Sequence, residues 1–378
     1  MTHSPLLRHD ETLFRDPEVF EFTFVPEHLH HRDAQVQELA WLIRPALRGG
    51  SALSAVLRGP PGTGKTTTVR RIFRDVTAET RRIVPAYVNC RHERTPLAVY
   101  RSIFKQLFGY APPPTGRHLD DVKEGIAARL HDDDAALVVC LDDANYLLQS
   151  GAYNLLLYQI LRLYEQWDVR KPGVFAVTSD LALNLYAEAD ESVRSVFHPI
   201  EVFFPPYGRV EVQEILADRV RQGLYPRVVP APLLDRITRI AVGEQDIRIG
   251  IDLVRQAVLR AEKDGRRRIA PGDVAAAART ATAPVLRARA AGLSEGERAF
   301  ACWIAERSRE GSNMASGAVF EAAREYLPIG KTTYHEHLNG LAKAGIVDLV
   351  PGPGRGRGRS VSLRYDPGDV AAVCKPPD

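Results

Sequence analysis

The sequence predicts an α/β fold with a doubly wound parallel sheet, followed by a small α-helical domain and a C-terminal winged-helix domain. From residue 51 to about residue 204, short apolar runs alternate with longer amphipathic stretches, which is typical of parallel sheets. Pro205, Pro206 and Gly208 interrupt this pattern, and helical periodicity then continues to residue 281. The predicted domains are residues 1–204, 205–283 and 284–368, with a frayed tail at 369–378.

Length and composition limit the class of protein. A chain of 378 residues exceeds one ordinary core and predicts two or three domains of roughly 100 to 200 residues. The apolar fraction of 45% and charged fraction of 26% are typical of soluble proteins, and no run approaches the roughly 18 apolar residues of a membrane span. The first ten residues lack the apolar segment of a secretory signal, so a cytosolic location and no membrane partner are expected. Four widely spaced cysteines argue against structural zinc and disulfides.

The elements of the sheet domain follow from its apolar periodicity. Buried strands are predicted at Ala52–Leu57, Ile83–Asn89, Leu137–Leu141, Val174–Thr178 and Ile200–Phe204. Helices are predicted at Thr66–Val76, Leu97–Phe108, Leu119–Leu130 and Tyr153–Trp167.

One loop of this domain carries a phosphate-binding motif. It satisfies G-x-x-x-x-G-K-[ST] between a strand and a helix, with residues Gly59, Pro60, Pro61, Gly62, Thr63, Gly64, Lys65 and Thr66, followed by Thr67. The glycines let backbone N–H groups surround phosphates at a helix N-terminus. Lys65 would neutralise the β and γ phosphates, and Thr66 would ligate Mg²⁺. The motif therefore predicts binding of ATP or ADP with Mg²⁺.

Polar residues at other strand ends are candidates for catalysis. Asp142 and Asp143 follow a strongly apolar strand, which places Asp142 beside the Mg²⁺ shell. Asp143 is one methylene shorter than a glutamate, so its reach to an attacking water is reduced. Ser179 ends a third strand and is a candidate for contacting the γ phosphate or the water. Arg219 and Arg248, on predicted helices of the second domain, can close on the phosphates.

The carboxy-terminal third has the outline of a winged helix. Helices are predicted at Glu297–Arg307, Ser316–Tyr326 and Lys331–Ala344, and strands at Ile346–Leu349 and Ser360–Arg364. In this arrangement the third helix enters the major groove of DNA, and the tip of the β-hairpin reaches adjacent DNA.

Local charge supports DNA binding, although the net charge of the chain is only +3. Residues 351–364 contain four arginines and no acid, and glycines alternate with them. The candidate DNA contacts are Lys331, Thr332, Thr333, Tyr334 and His335 at the exposed start of the helix, and Arg355, Arg357 and Arg359 in the wing. The pair His30-His31 and the run Asp132-Asp133-Asp134 lack a second cluster at metal-ligand spacing and are expected to be solvated loops.

Several motifs, in order, resemble the archaeal replication initiators, which are related to the eukaryotic origin recognition complex and cell division control initiators. They are Leu13–Phe20, Val25-Pro26 through His31-Arg32-Asp33, the phosphate loop, the acidic strand end and Phe204-Pro205-Pro206-Tyr207. The resemblance implies an AAA+ module, a helical lid and a winged helix that act on double-stranded origin DNA and help to load the minichromosome maintenance helicase. Other copies of the initiator are further possible partners. The resemblance also implies that Tyr207 and Arg219 contact the nucleotide from the lid. It implies further that Arg248 is the family's second sensor residue of the nucleotide site.

The chain departs from this family at three positions. Asp143 stands where the family has glutamate, Thr178-Ser179-Asp180 where it has asparagine, and Ser192 where it has arginine, with Arg194 as a possible substitute. These departures favour an initiator that binds ATP tightly, hydrolyses it slowly and uses the nucleotide as a switch. Two alternatives remain: a DNA-binding regulator with little hydrolysis, acting on transcription or inhibiting replication, and the ATPase of a mobile element or a clamp-loader-type machine. The wing arginines argue against a clamp loader.

Overall fold

The computed structural model of the chain describes residues 12–112, 118–327, 329–351 and 359–375. Its packing divides the chain into two compact units. The sheet unit consists of Asp16–Gly223 and Glu244–Arg248, and the remaining described residues form the helical unit. None of the helices in these described ranges is both long enough and apolar enough to cross a bilayer.

The sheet unit begins with a 3-10 turn at Pro17–Phe20 and then alternates strands and helices. Its elements are α1 (Asp33–Leu47), β1 (Ala55–Arg58), α2 (Lys65–Glu79), β2 (Ile83–Asn89), α3 (Pro96–Phe108), α4 (Leu119–Asp132), β3 (Ala136–Asp142), α5 (Asn145–Gln149), α6 (Tyr153–Leu161), α7 (Leu163–Gln166), β4 (Gly173–Thr178), α8 (Glu191–Arg194), β5 (Ile200–Phe203) and α9 (Arg209–Gly223).

The five strands form one parallel sheet in the order β2-β3-β4-β1-β5. Every residue of β3 is buried, because helices cover both faces of the sheet. Val138 and Cys140 pack with residues of α1 and α2, whereas Val139 and Leu141 pack with residues of α3, α4 and α6. The predicted doubly wound sheet is confirmed, and its carboxyl edge brings the ends of β1, β3 and β4 together.

One predicted helix in this unit is divided in the structure, and one observed helix was not predicted. The predicted helix at Tyr153–Trp167 is two helices, because the backbone leaves helical geometry at Arg162 (φ −108°, ψ 18°). Helix α1 was not predicted, although Leu39, Leu42, Ile43 and Ala46 recur at helical spacing and are all buried. Its internal Pro45 and the missing side-chain cap at its start obscured this signal.

The helical unit contains the winged-helix elements. After α9 the chain forms α10 (Ala231–Glu244), α11 (Ile247–Lys263), α12 (Pro271–Ala291), α13 (Glu295–Arg309), α14 (Ser316–Tyr326), α15 (Lys331–Lys343), β6 (Val347–Pro351), β7 (Arg359–Leu363) and α16 (Pro367–Cys374). Strands β6 and β7 pair antiparallel, with Val347 opposite Leu363. The predicted helix-turn-helix and hairpin are therefore present.

The predicted frayed tail is instead partly helical. Asp366 caps α16 by accepting a hydrogen bond of 2.9 Å from the Gly368 N–H, and Pro367 occupies the first helical position. Val370 and Cys374 are fully buried in the same core as Phe300 of α13. Burial of this apolar face holds the segment in place, which local composition did not reveal.

Candidate nucleotide and DNA sites

The phosphate loop has the backbone conformation that its sequence requires. Gly62 (φ 72°) and Gly64 (φ 88°) both adopt left-handed geometry, which favours glycine. Gly64 is the N-cap of α2 and has no side-chain cap, so the first N–H groups of this helix are available to an anion. The Lys65 ammonium lies within the loop and donates to the carbonyl oxygens of Gly59 (2.7 Å) and Pro60 (2.8 Å).

A short hydrogen-bond network joins this loop to the end of β3. Thr66 Oγ1 donates to Asp142 Oδ2 at 2.7 Å, and the Asp143 N–H donates to Asp142 Oδ1 at 3.2 Å. The Tyr87 hydroxyl donates to the same Oδ2 atom at 2.5 Å. The structure thus brings Lys65, Thr66 and Asp142 together as predicted. It also adds Tyr87, which no sequence motif indicated.

Burial changes the proton affinities of two groups in this site. Desolvation lowers the pKa of Lys65 to about 8, opposed by the nearby Asp142 carboxylate. Desolvation, and next the Asp142 charge, raise the pKa of Asp143. Asp143 also has a left-handed backbone (φ 55°), which is uncommon for a residue with a side chain. The two acidic residues therefore have different environments despite being adjacent.

Arg248 forms an ion pair with Asp246, and Asp246 packs against the phosphate loop. The guanidinium binds both carboxylate oxygens of Asp246, with Nε to Oδ1 at 2.9 Å and Nη2 to Oδ2 at 2.5 Å. A Cβ added at Gly62 would lie 2.1 Å from Asp246 Oδ1, so this carboxylate packs directly on the loop. The hydrogen bonds that Arg248 donates to the Asp246 carboxylate raise the pKa of Arg248. The predicted sensor arginine is therefore placed near Lys65 and Asp143.

The other two predicted lid contacts differ in position. The Tyr207 hydroxyl lies against Gly64, 2.7 Å from where a Cβ would stand. Arg219 is buried, donates to the carbonyl oxygen of Val19 at 2.9 Å and stacks over the Phe24 ring at 4.5 Å. Burial lowers the pKa of Arg219 to about 10. Tyr207 therefore meets the phosphate loop, whereas the described contacts of Arg219 are with the segment before α1.

Arg32 contacts the phosphate loop and was not singled out as a site residue. Its side chain is buried and donates to the carbonyl oxygens of Thr63 (2.9 Å), His31 (2.8 Å) and Pro205 (2.7 Å). Its guanidinium also stacks on the Tyr207 ring. A charged residue that is buried between a loop and a proline turn gives no periodic signal, so only the structure reveals its role.

The His30-His31 pair is not a solvated loop, contrary to prediction. His30 Nε2 lies 3.1 Å from Asp218 Oδ2, and His31 Nε2 lies 2.7 Å from Glu214 Oε2, both on α9. The described residues contain no group of three or more His, Cys, Asp or Glu side chains arranged to hold a metal.

The remaining predicted residues lie directly after β4, in the first turn of α2 and in α8. Ser179 is half-buried directly after β4, which lies between β1 and β3 in the sheet, and Thr67 is half-buried in the first turn of α2. Ser192 is exposed and donates to the Asp190 carboxylate at 2.6 Å, while Arg194 donates to the carbonyl oxygen of Ala187 at 2.7 Å.

The predicted DNA contacts divide into exposed and buried residues. Lys331, Thr332 and His335 are exposed at the start of α15, and Thr333 is half-buried. Arg359 is exposed at the start of β7, whereas Arg355 and Arg357 lie outside the described residues.

Tyr334 was predicted at the exposed start of the helix, and this was wrong. It is 1% exposed, packs edge-on against Phe300 and Phe320, and its hydroxyl donates to the carbonyl oxygen of Ser316 at 2.8 Å. It points inward because it occupies the same helical face as Leu338 and Leu341, which are also buried.

Comparisons with known proteins find similar domains and similar whole chains. A family model described as an AAA domain matches residues 48–178, and a Cdc6 AAA+ ATPase-type lid domain matches residues 213–279. ORC1-type DNA replication protein 6 of Halobacterium salinarum is 39% identical over 363 residues, covering 96% of each chain. The Aeropyrum pernix ORC1 protein in complex with DNA has a TM-score of 0.65, 26% identity and 97% coverage of each chain. The ADP form of Aeropyrum pernix ORC2 has a TM-score of 0.64 and 25% identity, and covers 96% of this chain and 98% of that one.

Proposed function

Because the chain belongs to the family of ORC1-type DNA replication proteins, we propose that it is an ATP-binding initiator of DNA replication that recognises double-stranded origin DNA. The observation that carries the proposal is one chain with both a complete phosphate loop and a winged helix with an exposed polar recognition face. The similarity to an ORC1 protein solved with DNA supports DNA as the partner. The protein would then act on the chromosome in the nucleoid.

We propose the following domain roles. The base of the AAA+ module comprises residues 1–204, the lid residues 205–283 and the winged helix residues 284–368. Helix α16 is proposed to be part of the winged-helix domain, because Val370 and Cys374 share its core.

ATP or ADP is proposed to bind at the phosphate loop together with Mg²⁺. The Thr66 hydroxyl and the Asp142 carboxylate are hard oxygen ligands of the kind that Mg²⁺ prefers, and they lie 2.7 Å apart. These two residues would hold the ion, which would neutralise charge on the phosphates. Lys65 and Arg248 would bind the phosphates, and Tyr207 would contact the nucleotide beside Gly64.

Hydrolysis is proposed to be slow, so that the bound nucleotide acts as a switch. Asp143 is one methylene shorter than glutamate, which reduces its reach to an attacking water. Ser179 and Ser192 lack the amide and guanidinium groups that the family has at these positions. Nucleotide state would set DNA binding and loading of the minichromosome maintenance helicase, with other initiator copies as partners.

Binding measurements test the proposal directly. Lys65→Ala should weaken binding of fluorescent ATP by at least about 100-fold, whereas Arg48→Ala, an exposed arginine outside the site, should not. The affinity for origin DNA should fall as salt concentration rises, and the salt slope is the slope of the logarithm of the binding constant against the logarithm of salt concentration. Replacing Arg355, Arg357 and Arg359 by alanine should reduce the magnitude of this slope by up to about 0.9 per lost phosphate contact. Normal ATP binding by Lys65→Ala would disprove the nucleotide assignment.

A DNA-binding regulator with little hydrolysis is the second candidate, and the serine at position 192 favours it. Occupancy of the protein along its own chromosome separates the two functions. Enrichment at replication origins supports initiation, whereas enrichment confined to promoters supports regulation. Rapid ATP turnover by the purified protein without a partner would contradict the switch in either case.

A further inference from the structure

Tyr87 lies on β2 with its side chain directed along the end of β3. The strand register pairs Tyr87 with Cys140 and Asn89 with Asp142, so Tyr87 and Asp142 are diagonal neighbours. Cys140 and Asp142 are two residues apart and therefore share one face of the sheet with Tyr87. This register explains how the hydroxyl reaches the carboxylate.

The Asp142 carboxylate is fixed by three donors. Its Oδ2 atom accepts hydrogen bonds from the Tyr87 hydroxyl and from Thr66 Oγ1, and its Oδ1 atom accepts the longer bond from the Asp143 N–H. Asp142 is only 6% exposed, so these donors are needed to stabilise its charge. Because Oδ1 has only the long bond, it keeps lone-pair capacity for a further ligand.

Tyr87 is itself held from two sides. The side-chain amide of Gln106 binds both its backbone N–H and its carbonyl oxygen, each at 2.9 Å. The guanidinium carbon of Arg70 lies 4.4 Å from the centre of its ring. Arg70 belongs to α2, the helix that also carries Lys65 and Thr66. The phenolic hydroxyl of tyrosine is a hydrogen-bond donor near neutral pH, as this contact with Asp142 requires.

We propose that Tyr87 is a positioning residue of the nucleotide site, whose hydroxyl orients Asp142 so that Asp142 and Thr66 can hold Mg²⁺ with the nucleotide. Arg70 stacks on the ring and so holds it against α2, the helix that follows the phosphate loop. The inference rests on the proposed nucleotide function and adds to it a residue outside the phosphate-loop and strand-end motifs. Loss of a hydrogen-bond partner behind a metal ligand typically weakens metal affinity by about 10–100-fold.

The test is a Mg²⁺ titration of fluorescent ATP binding to the full chain carrying Tyr87→Phe. This change removes only the hydroxyl and leaves the ring under Arg70. We expect the variant to need about tenfold more Mg²⁺ than the wild type, and to bind ATP with unchanged affinity in EDTA. The matched control is Tyr146→Phe, because that hydroxyl bonds Arg91 at 3.0 Å and not Asp142. The control should follow the wild-type titration.

Two further variants show whether the effect passes through Asp142. Arg70→Ala should shift the Mg²⁺ requirement in the same direction by a smaller factor, and it serves as the test if Tyr87→Phe fails to fold. In the Asp142→Asn background, Tyr87→Phe should add no further shift.

Three outcomes would overturn the inference. They are an unchanged Mg²⁺ requirement in Tyr87→Phe, an equal loss of affinity with and without Mg²⁺, and a full additional shift in the Asp142→Asn background. If the wild type binds ATP with an affinity that does not depend on Mg²⁺, the roles assigned to Tyr87, Thr66 and Asp142 in Mg²⁺ binding are disproved, and ATP binding itself stands. If the wild type does not bind ATP at all, the proposed function fails first.

Discussion

The guanidinium carbon of Arg32 lies 3.8 Å from the centre of the Tyr207 ring, and the two residues together cover one side of the phosphate loop. Arg32 donates to the Thr63 carbonyl oxygen, and the Tyr207 hydroxyl packs against Gly64. The segment before α1 and the turn before α9 are thereby joined at the loop. Its conformation depends on contacts between residues that are far apart in the chain.

Arg32→Ala should destabilise the sheet unit by about 2–4 kcal/mol, because three carbonyl oxygens lose their buried donor. Urea unfolding followed by circular dichroism measures this loss. Arg48→Ala removes an exposed arginine at the end of α1 and should change stability by less than about 0.5 kcal/mol. Equal effects of the two substitutions would show that the Arg32 contacts contribute nothing specific.

Asp143→Glu should increase the ATP turnover rate several-fold, because the longer side chain extends the carboxylate toward an attacking water. Asp143→Asn should leave turnover at or below the wild-type rate. Phosphate release under saturating ATP is the measurement, with ATP affinity determined separately for each variant. If Asp143→Glu turns over ATP no faster than the wild type, side-chain length at this position does not limit hydrolysis.

Asp273→Asn should lower the stability of the helical unit by about 1 kcal/mol near pH 7. Both oxygens of Asp273 bind Arg266, and these hydrogen bonds lower the pKa of the carboxyl group below 3.8. A lowered native pKa contributes stability above the unfolded pKa, and that contribution is lost as the pH falls through the native value.

The difference in melting temperature between wild type and Asp273→Asn should therefore be constant from pH 7 to about pH 5 and shrink below about pH 4. Asp264→Asn is the control, because the exposed Asp264 makes a single bond to Arg266. It should have a smaller effect. A difference that grows toward acid pH would refute the assignment.

Tyr334→Phe should reduce stability by about 1 kcal/mol, because the part-buried Ser316 carbonyl loses its hydrogen bond from the Tyr334 hydroxyl. It should leave the salt slope of DNA binding unchanged. Lys331→Ala should do the reverse, lowering the slope by about 0.9 without a stability loss. Thermal melts and binding titrations at several salt concentrations distinguish the two. A reduced salt slope in Tyr334→Phe would instead indicate that Tyr334 contacts DNA.

Local signals predicted much of the architecture. The apolar runs placed all five strands within about three residues of their observed limits, because buried parallel strands are continuously apolar. The winged-helix elements were predicted from helical spacing and from the Gly/Arg segment between two apolar runs. Where local signals were weak, the helices were missed: α1 carries an internal proline, and α16 begins with a Pro-Gly pair that resembles a tail.

The sequence by itself determined the phosphate loop, because consecutive residues build it and glycine alone accommodates its backbone at Gly62 and Gly64. Only the tertiary structure decided what surrounds that loop. The pairs Arg32–Tyr207 and Tyr87–Asp142 join residues that are distant in sequence, through turn packing in the first case and strand register in the second. No periodic pattern in the local sequence marks either pair. Both depend on which surfaces are buried against each other once the sheet has formed.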